Sequence, residues 1–250
     1  MRKLKHASMM PNINTATARV LNACGIETVV PPAAGCCGAV KFHLNDQVGG
    51  LDHMRRNIDA WWPWVESGEV EAIVMNASGC GVMVKDYGHV LADDPAYASK
   101  AERISALTKD LSELLPDWVA PLRARLRKNS VASDASGAAL PVLAYHPPCT
   151  LQHGQQLRGG VEQHLSQLGF SIAVAQNESH LCCGSAGTYS VLNPGLSKQL
   201  RDRKLGNLSQ IAADTIVSAN VGCISHLQSG TGVPVKHWIE VLDAALQPQP

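Results

Sequence analysis

The sequence predicts an α/β protein: two similar βα-repeat modules with short parallel sheets, the first truncated at its N-terminus. Three observations predict it. The triplet Cys-Cys-Gly occurs twice, in Gly35-Cys36-Cys37-Gly38-Ala39 and in Leu181-Cys182-Cys183-Gly184-Ser185. Short apolar runs of strand type alternate with segments of helical periodicity, the pattern of βα units on a parallel sheet. The order of these segments around the two triplets is the same, so the chain reads as an internal repeat. The expected division is 1–128 for the first module, 129–140 for a linker rich in Ser, Asp, Gly and Ala, and 141–250 for the second.

The second module is the more complete. Pro141-Val142-Leu143-Ala144-Tyr145 is a strand, and His146-Pro147-Pro148-Cys149 ends it with a turn and a thiol. Thr150 is placed to cap a helix through Val161, Leu165 and Leu168, which Gly169 stops. A second strand covers 170–175, and the Cys182-Cys183 bend follows. A helix over 194–210 carries Lys198, Arg201, Arg203 and Lys204, read as a solvated face. A third strand, 215–219, runs into Asn220-Val221-Gly222-Cys223, and an amphipathic helix over 237–246 closes the module.

The first module repeats this order. A helix starting at Asn12 or Asn14 ends at Gly25, and 26–30 reads as a strand before Cys36-Cys37-Gly38. A long helix over 46–66 contains Pro63, expected to kink or end it. Its Trp61, Trp62 and Trp64 are read as packing at a helix end. Residues 72–75 form a strand that leads to Ala77-Ser78-Gly79-Cys80, and 94–128 reads as helix broken near Pro116 and Pro121.

Composition excludes several classes. Twenty-one basic and 21 acidic residues cancel, which gives no electrostatic footprint for nucleic acid. The longest charge-free apolar stretch, 72–84, is shorter than the roughly 20 residues a membrane span needs. The basic N-terminus leads into no apolar segment of signal-peptide length. The expectation is a cytoplasmic protein that meets the inner face of the cytoplasmic membrane only through partners. In a reducing compartment, eight cysteines point to metal or redox work rather than disulfides.

Adjacent cysteines cannot easily bridge each other, because neighbouring Cα atoms sit about 3.8 Å apart and an unstrained disulfide needs about 4.4–6.8 Å. Side by side on a glycine bend, they offer two soft donors to one site. In a parallel sheet ligands gather at the carboxyl ends of the strands. Cys149, the pair Cys182 and Cys183, and Cys223 each follow a strand of the second module. Four thiolates can ligate a 4Fe-4S cluster, and four thiolates can also hold zinc. The long spacings do not resemble the two close clips of a zinc ribbon; inert core thiols are the remaining alternative. The first module offers Cys36, Cys37 and Cys80, and the position corresponding to Cys149 falls at Lys3 or Lys5. Cys24 is read as a small buried apolar residue. Backbone N–H groups near Gly184, Ser185 and Gly187 are expected to donate to sulfur. His146, His153, His180 and His226 are read as hydrogen-bonded structural groups, with a ligand or proton-relay role as the alternative. The sequence offers no catalytic acid–base set. Gly184-Ser185-Ala186-Gly187 lacks the lysine of a phosphate loop.

The repeated Cys-Cys-Gly, with a cysteine upstream and another beyond the next strand, resembles the cysteine-rich CCG domain found in heterodisulfide reductases and in lactate- and glycolate-oxidising systems. The nearest likeness is to glycolate oxidase iron–sulfur subunits. It is carried by residues 57–63, Ala77-Ser78-Gly79-Cys80-Gly81, Val84-Lys85-Asp86-Tyr87-Gly88, Cys149-Thr150-Leu151-Gln152-His153, residues 179–189 and His237-Trp238-Ile239-Glu240. The resemblance implies an electron-transfer subunit, not catalytic alone. It would take electrons from a flavoprotein that oxidises glycolate or another 2-hydroxy acid and pass them towards a quinone pool. It implies that the chain is the C-terminal part of such a subunit, apart from a ferredoxin-like half. The reductase's last Cys-x-x-Cys pair is missing here: Ala77 and Asn220 stand at its first position. A five-cysteine cluster is therefore not expected, and two alternatives to electron transfer remain: a cluster-free docking module and a thiol–disulfide redox subunit.

Overall fold

The protein is described by a computed structural model that places residues 10–132 and 140–247. The chain divides into two units: Val29–Leu111, and Asn12–Thr28 together with the chain from Ser112 onward. Helix α1 (Pro11–Ala23) and the residues after 111 thus belong to the second unit, although the sequence pattern puts both with the first module.

In the first unit, α2 (Ala39–His43) follows the Cys-Cys-Gly bend, and α3 (Gln47–Glu66) supplies most of the core. The Asp46 carboxylate caps α3 by accepting from the Gly49 N–H at 3.0 Å. Pro63 does not end this helix, which runs on to Glu66. Proline withholds one N–H from the carbonyl four residues back, here that of exposed Asp59, which water can serve. Strand β1 (Ile73–Met75) leads into α4 (Ser78–Lys85), then α5 (Tyr87–Val90) and α6 (Ala98–Leu107). Strand β2 (Thr108–Asp110) pairs parallel with β1, Ile73 opposite Thr108. Met54, Ile58 and Trp61 of α3 pack with Val84, Tyr87, Leu91 and Ile104 in one core. Trp61 stacks on Tyr87 with ring centroids 6.5 Å apart.

The break expected near Pro116 and Pro121 falls earlier. It is made by β2 and a 3₁₀ turn at Leu111–Leu114. Both prolines lie inside α7 (Leu115–Ala132), Pro116 in the first turn, where its missing N–H leaves nothing unpaired. Residues 133–139 of the expected linker lie outside the described residues, and α7 reaches into its first part.

The second unit is a four-stranded parallel sheet in the order β4-β3-β5-β6. Its strands are β3 (Val142–His146), β4 (Ser171–Val174), β5 (Thr215–Ser218) and β6 (Val235–His237). Its helices are α1 and α7, then α8 (Gly160–Gln167), α9 (Tyr189–Leu192), α10 (Pro194–Ser209), α11 (Val221–Gln228) and α12 (Trp238–Leu246). β5 is buried throughout and β3 after its first residue, as strands covered on both faces must be. The edge strands β4 and β6 alternate in burial. α7 packs with α8 and α12, and α10 packs with α11. α1 is tied to α12 by the Arg19 guanidinium, which donates to the Asp243 carboxylate at 2.6–3.0 Å.

Three local expectations are corrected. Residues 26–30 form no strand. Their counterpart β4 is held only by β3, and among the described residues the first half has no strand corresponding to β3. The helix expected from Thr150 is split. A single π turn at Thr150–Gly154 precedes α8, and Gly159 between them takes φ +77°. Strands β2 and β6 went unforeseen because each is three residues long with a central lysine. Among the described residues, no helix is long and apolar enough to cross a membrane.

Candidate metal centre

The chain leaves β3 for β4 on one side, then returns to β5 on the other side of β3. That reversal opens a crevice at the carboxyl ends of β3 and β5. Cys149 follows β3 by three residues, and Cys223 sits in the first turn of α11 after β5. The loop between β4 and α9 brings in Cys182 and Cys183. The four thiols form a connected group: Cys149 with Cys182, Cys182 with Cys183, and Cys183 with Cys223, each pair within hydrogen-bonding reach. All are free thiols. Cys183 is fully buried and Cys223 nearly so, whereas Cys149 and Cys182 are partly open to the surface.

Crowding splits their acidities. The Cys149 and Cys183 thiols donate to Cys182, which holds its pKa far below the ordinary thiol value. The Cys183 thiol, with help from His146 and Asn220, does the same for Cys223 against its burial. Cys149 and Cys183, as donors in a buried place, are pushed far up. Four thiols that share protons in this way are a donor set for a cation, which would replace the shared protons.

Backbone geometry holds the bend. The Gly184 N–H donates to the Cys182 sulfur at 3.3 Å, and the Ser185 N–H donates to that of Cys183. Gly184 takes φ +92°, and a Cβ there would lie 2.3 Å from the Ser197 carbonyl oxygen of α10. Only glycine satisfies both conditions. The Ser197 hydroxyl closes the contact by donating to the Gly184 carbonyl at 2.8 Å. Gly187 contributes a turn at φ +60° in open space. Lys204 is not on a solvated face as expected: it is 2% exposed. Its ammonium donates to the carbonyls of Glu178 at 2.6 Å and Ser179 at 3.2 Å, pinning the start of the cysteine loop. Burial lowers its pKa, and the neighbouring thiols and Glu178 oppose that.

Of the histidines, His146 alone joins the group: the ligand atoms of His146, Cys183 and Cys223 lie within 4.8 Å of one another. His226 contacts the Ser197 hydroxyl at 3.1 Å, and His153 contacts the His180 carbonyl at 3.3 Å. Asn220 donates to the Cys223 sulfur at 3.7 Å from the helix-capping position. Sequence reasoning missed Lys204 and Asn220. Ser197, Lys204 and Leu208 do share one helical face by their spacing of seven and four, a signal that the lysine points inward.

The first unit gathers Cys36, Cys37 and Cys80. The Cys80 thiol donates to Cys37 and brings its pKa to about 7, while Cys80 itself is pushed up. Asn57 organises this bend: it accepts from the Gly35 N–H at 2.8 Å and donates to the Cys36 carbonyl at 2.9 Å. The Tyr87 hydroxyl donates to the Cys37 carbonyl at 2.8 Å. Cys24 lies apart, in the second unit, its pKa raised to about 11 by burial.

Both halves of the chain, residues 3–85 and 143–228, match the cysteine-rich domain family CCG. The chain is 48% identical over 240 residues to the glycolate oxidase iron-sulfur subunit of Escherichia coli, covering 96% of this chain and 56% of that protein. It is 28% identical to the probable glycolate oxidase iron-sulfur subunit of Bacillus subtilis, over 87% of this chain and 46% of that one. It is also 28% identical to lactate utilization protein A of Geobacillus thermodenitrificans, over 93% of this chain and 92% of that one. The chain thus spans about half the length of the two iron-sulfur subunits. With the matched segments together exceeding half its length and each carrying its own cysteine bend, this chain belongs to the CCG cysteine-rich domain family.

Proposed function

We propose that Cys149, Cys182, Cys183 and Cys223 hold an iron–sulfur cluster of the 4Fe-4S type, and that the chain serves as an electron-transfer subunit in oxidation of a 2-hydroxy acid such as glycolate. The observation that carries this reading is the meeting of four free sulfurs at the switch point of one parallel sheet. The residues fit such a group: soft donors, a glycine bend with backbone N–H groups aimed at sulfur, and a buried lysine to offset negative charge. Once bound, the cluster would supply reversible one-electron chemistry. The protein's part is placement and tuning. Gly184 and Ser185 donate to sulfur, Lys204 holds the loop, and Cys183 and Cys223 keep water away on the inner side. The half-open edge at Cys149 and Cys182 is the side an electron donor or acceptor would approach.

The names of the similar proteins, a glycolate oxidase iron-sulfur subunit and a lactate utilization protein, support a partner subunit in the same oxidation. In this reading the partner is a flavoprotein that removes the electrons from substrate, and they pass on towards quinone. In this reading Cys36, Cys37 and Cys80 make a second, three-thiolate site in the first unit. The chain would work in the cytoplasm and reach the membrane through partners.

The test is anaerobic reconstitution with iron and sulfide. The expected product shows broad visible absorption and about four irons for the second unit, and Cys183→Ser loses that absorption. A colourless chain that retains no iron would overturn the reading, and zinc retained in place of iron would redirect it to a structural centre.

A further inference from the structure

We propose that His146 is a nitrogen ligand of the second unit's metal centre, working beside the four cysteines. This rests on the cluster reading above but stands on its own geometry. His146 is the last residue of β3 and is 0% exposed. Its main chain is fixed: β3 and β5 pair with His146 opposite Ser218, and the Ser218 hydroxyl donates to the His146 carbonyl at 2.9 Å. That places the ring at the carboxyl end of the sheet, with a ring nitrogen and the sulfurs of Cys183 and Cys223 all within 4.8 Å of one another. No nitrogen or oxygen atom among the described residues bonds either ring nitrogen; what faces the ring is sulfur, that of Cys223 first.

A buried imidazole faced only by sulfur is rare, because folding strips its water and a thiol is a weak hydrogen-bond partner in return. A metal ion repays that loss directly, since neutral imidazole is a borderline ligand that iron and zinc both accept. The chain also lacks a further sulfur beside Cys223. Asn220 stands three residues before it, and its amide donates to the Cys223 sulfur rather than offering a lone pair. Imidazole from β3 is thus the added donor the fold supplies. Among the described residues no other group of this kind occurs, so the three thiols of the first unit have no histidine counterpart. Compared with a fifth thiolate at the position of Asn220, a neutral nitrogen adds no negative charge, so the centre would have a higher reduction potential than a five-cysteine one.

The experiment uses the full chain labelled with ¹⁵N-histidine, reconstituted anaerobically and brought to its paramagnetic state. Pulsed electron paramagnetic resonance should show a strongly coupled histidine nitrogen, and His146→Asn should lose that coupling while the visible absorption remains. A cluster whose spectrum contains no strong histidine coupling, or one that His146→Asn leaves unchanged, overturns the proposal. If the wild-type chain assembles no cluster, the electron-transfer reading fails by itself. Co²⁺ added to the metal-free chain then tests His146 separately. Histidine-nitrogen modulation present in the wild type and lost in His146→Asn sustains the proposal, and equal spectra overturn it. Circular dichroism of the variant separates loss of a ligand from loss of the fold.

Discussion

In the first unit Gly38 turns at φ +87°, and a Cβ there would lie 2.6 Å from the Gly50 carbonyl of α3. In the second unit Gly184 turns at φ +92° with the Ser197 carbonyl of α10 at 2.3 Å. The bend is therefore built identically twice: two thiols, a left-handed glycine, and a following helix pressed against it. Seven residues along each helix the copies part. Asn57 holds the first bend with neutral amide bonds, whereas Lys204 holds the second with a buried ammonium. The first bend meets one further cysteine, Cys80; the second meets two, Cys149 and Cys223, and a histidine. The scaffold is shared, and what differs is how much negative charge each copy is equipped to hold. In the proposed reading four thiolates carry more negative charge than three, and Lys204 offsets part of it where Asn57 offers only dipoles.

The sharpest way to break this comparison is to remove one buried sulfur from each copy. Cys183→Ser should cost the reconstituted chain nearly all the visible absorption assigned to the second unit. Cys37→Ser should leave most of the total in place. Iron content and absorption of the two variants, prepared side by side, decide the matter. Equal losses would mean the copies are equivalent, and the charge argument would fall.

The shared scaffold has its own test. Gly184→Ala forces a side chain into φ +92° and against a backbone carbonyl, an expected loss of about 3 kcal/mol in unfolding free energy. Gly38→Ala should cost about 2–3 kcal/mol for the same reasons. Gly187→Ala, at φ +60° with open space around it, should cost about 1 kcal/mol. Urea midpoints rank the three. A Gly184→Ala loss no larger than that of Gly187→Ala would show that helix contact does not set the bend.

The parts of this architecture legible in the sequence are those with local signatures. The strands over 142–146 and 215–218 are built on short apolar runs, Val142-Leu143-Ala144-Tyr145 and Ile216-Val217, and the Cys-Cys-Gly bends announce their own turn. What escaped reading depends on partners distant in sequence. β2 and β6 are strands only because β1 and β5 lie beside them. Residues 26–30 look like a strand and lack a ladder to join. Lys204 reads as one of four basic residues on a surface helix until the carbonyls of Glu178 and Ser179 receive it. His146 reads as one of four hydrogen-bonded structural histidines near the cysteines, and only the order β4-β3-β5 singles it out among them.

Lys204 tests the charge difference by itself. In Lys204→Gln the loop keeps a donor and the centre loses its nearby cation. The oxidised state, which carries less negative charge, then gains relative stability. The potential should fall by about 59 mV, one tenfold step for a one-electron couple. Spectroelectrochemical titration of the two reconstituted chains reads the shift. A potential that stays put would mean that solvent at the half-open edge already screens the lysine.

The smallest expected effect lies at the one described cysteine outside both groups, and it separates burial from ligation. Burial raises the Cys24 pKa from the ordinary 9.0 to about 11, with Arg125 opposing. The folded chain therefore keeps a proton that the unfolded chain gives up. The stability linked to this thiol is complete below pH 9 and is lost as pH rises through 11. Because the residue is only half-buried, the loss is about 1 kcal/mol once solvent screening is allowed for. Relative to Cys24→Ala, the wild type should weaken by that amount between pH 8 and 11, measured as paired urea midpoints. A pH-independent difference would show that Cys24 ionises as a solvent-exposed thiol. Its proton binding would then offer no baseline for judging the cysteines whose acidity is set by other cysteines.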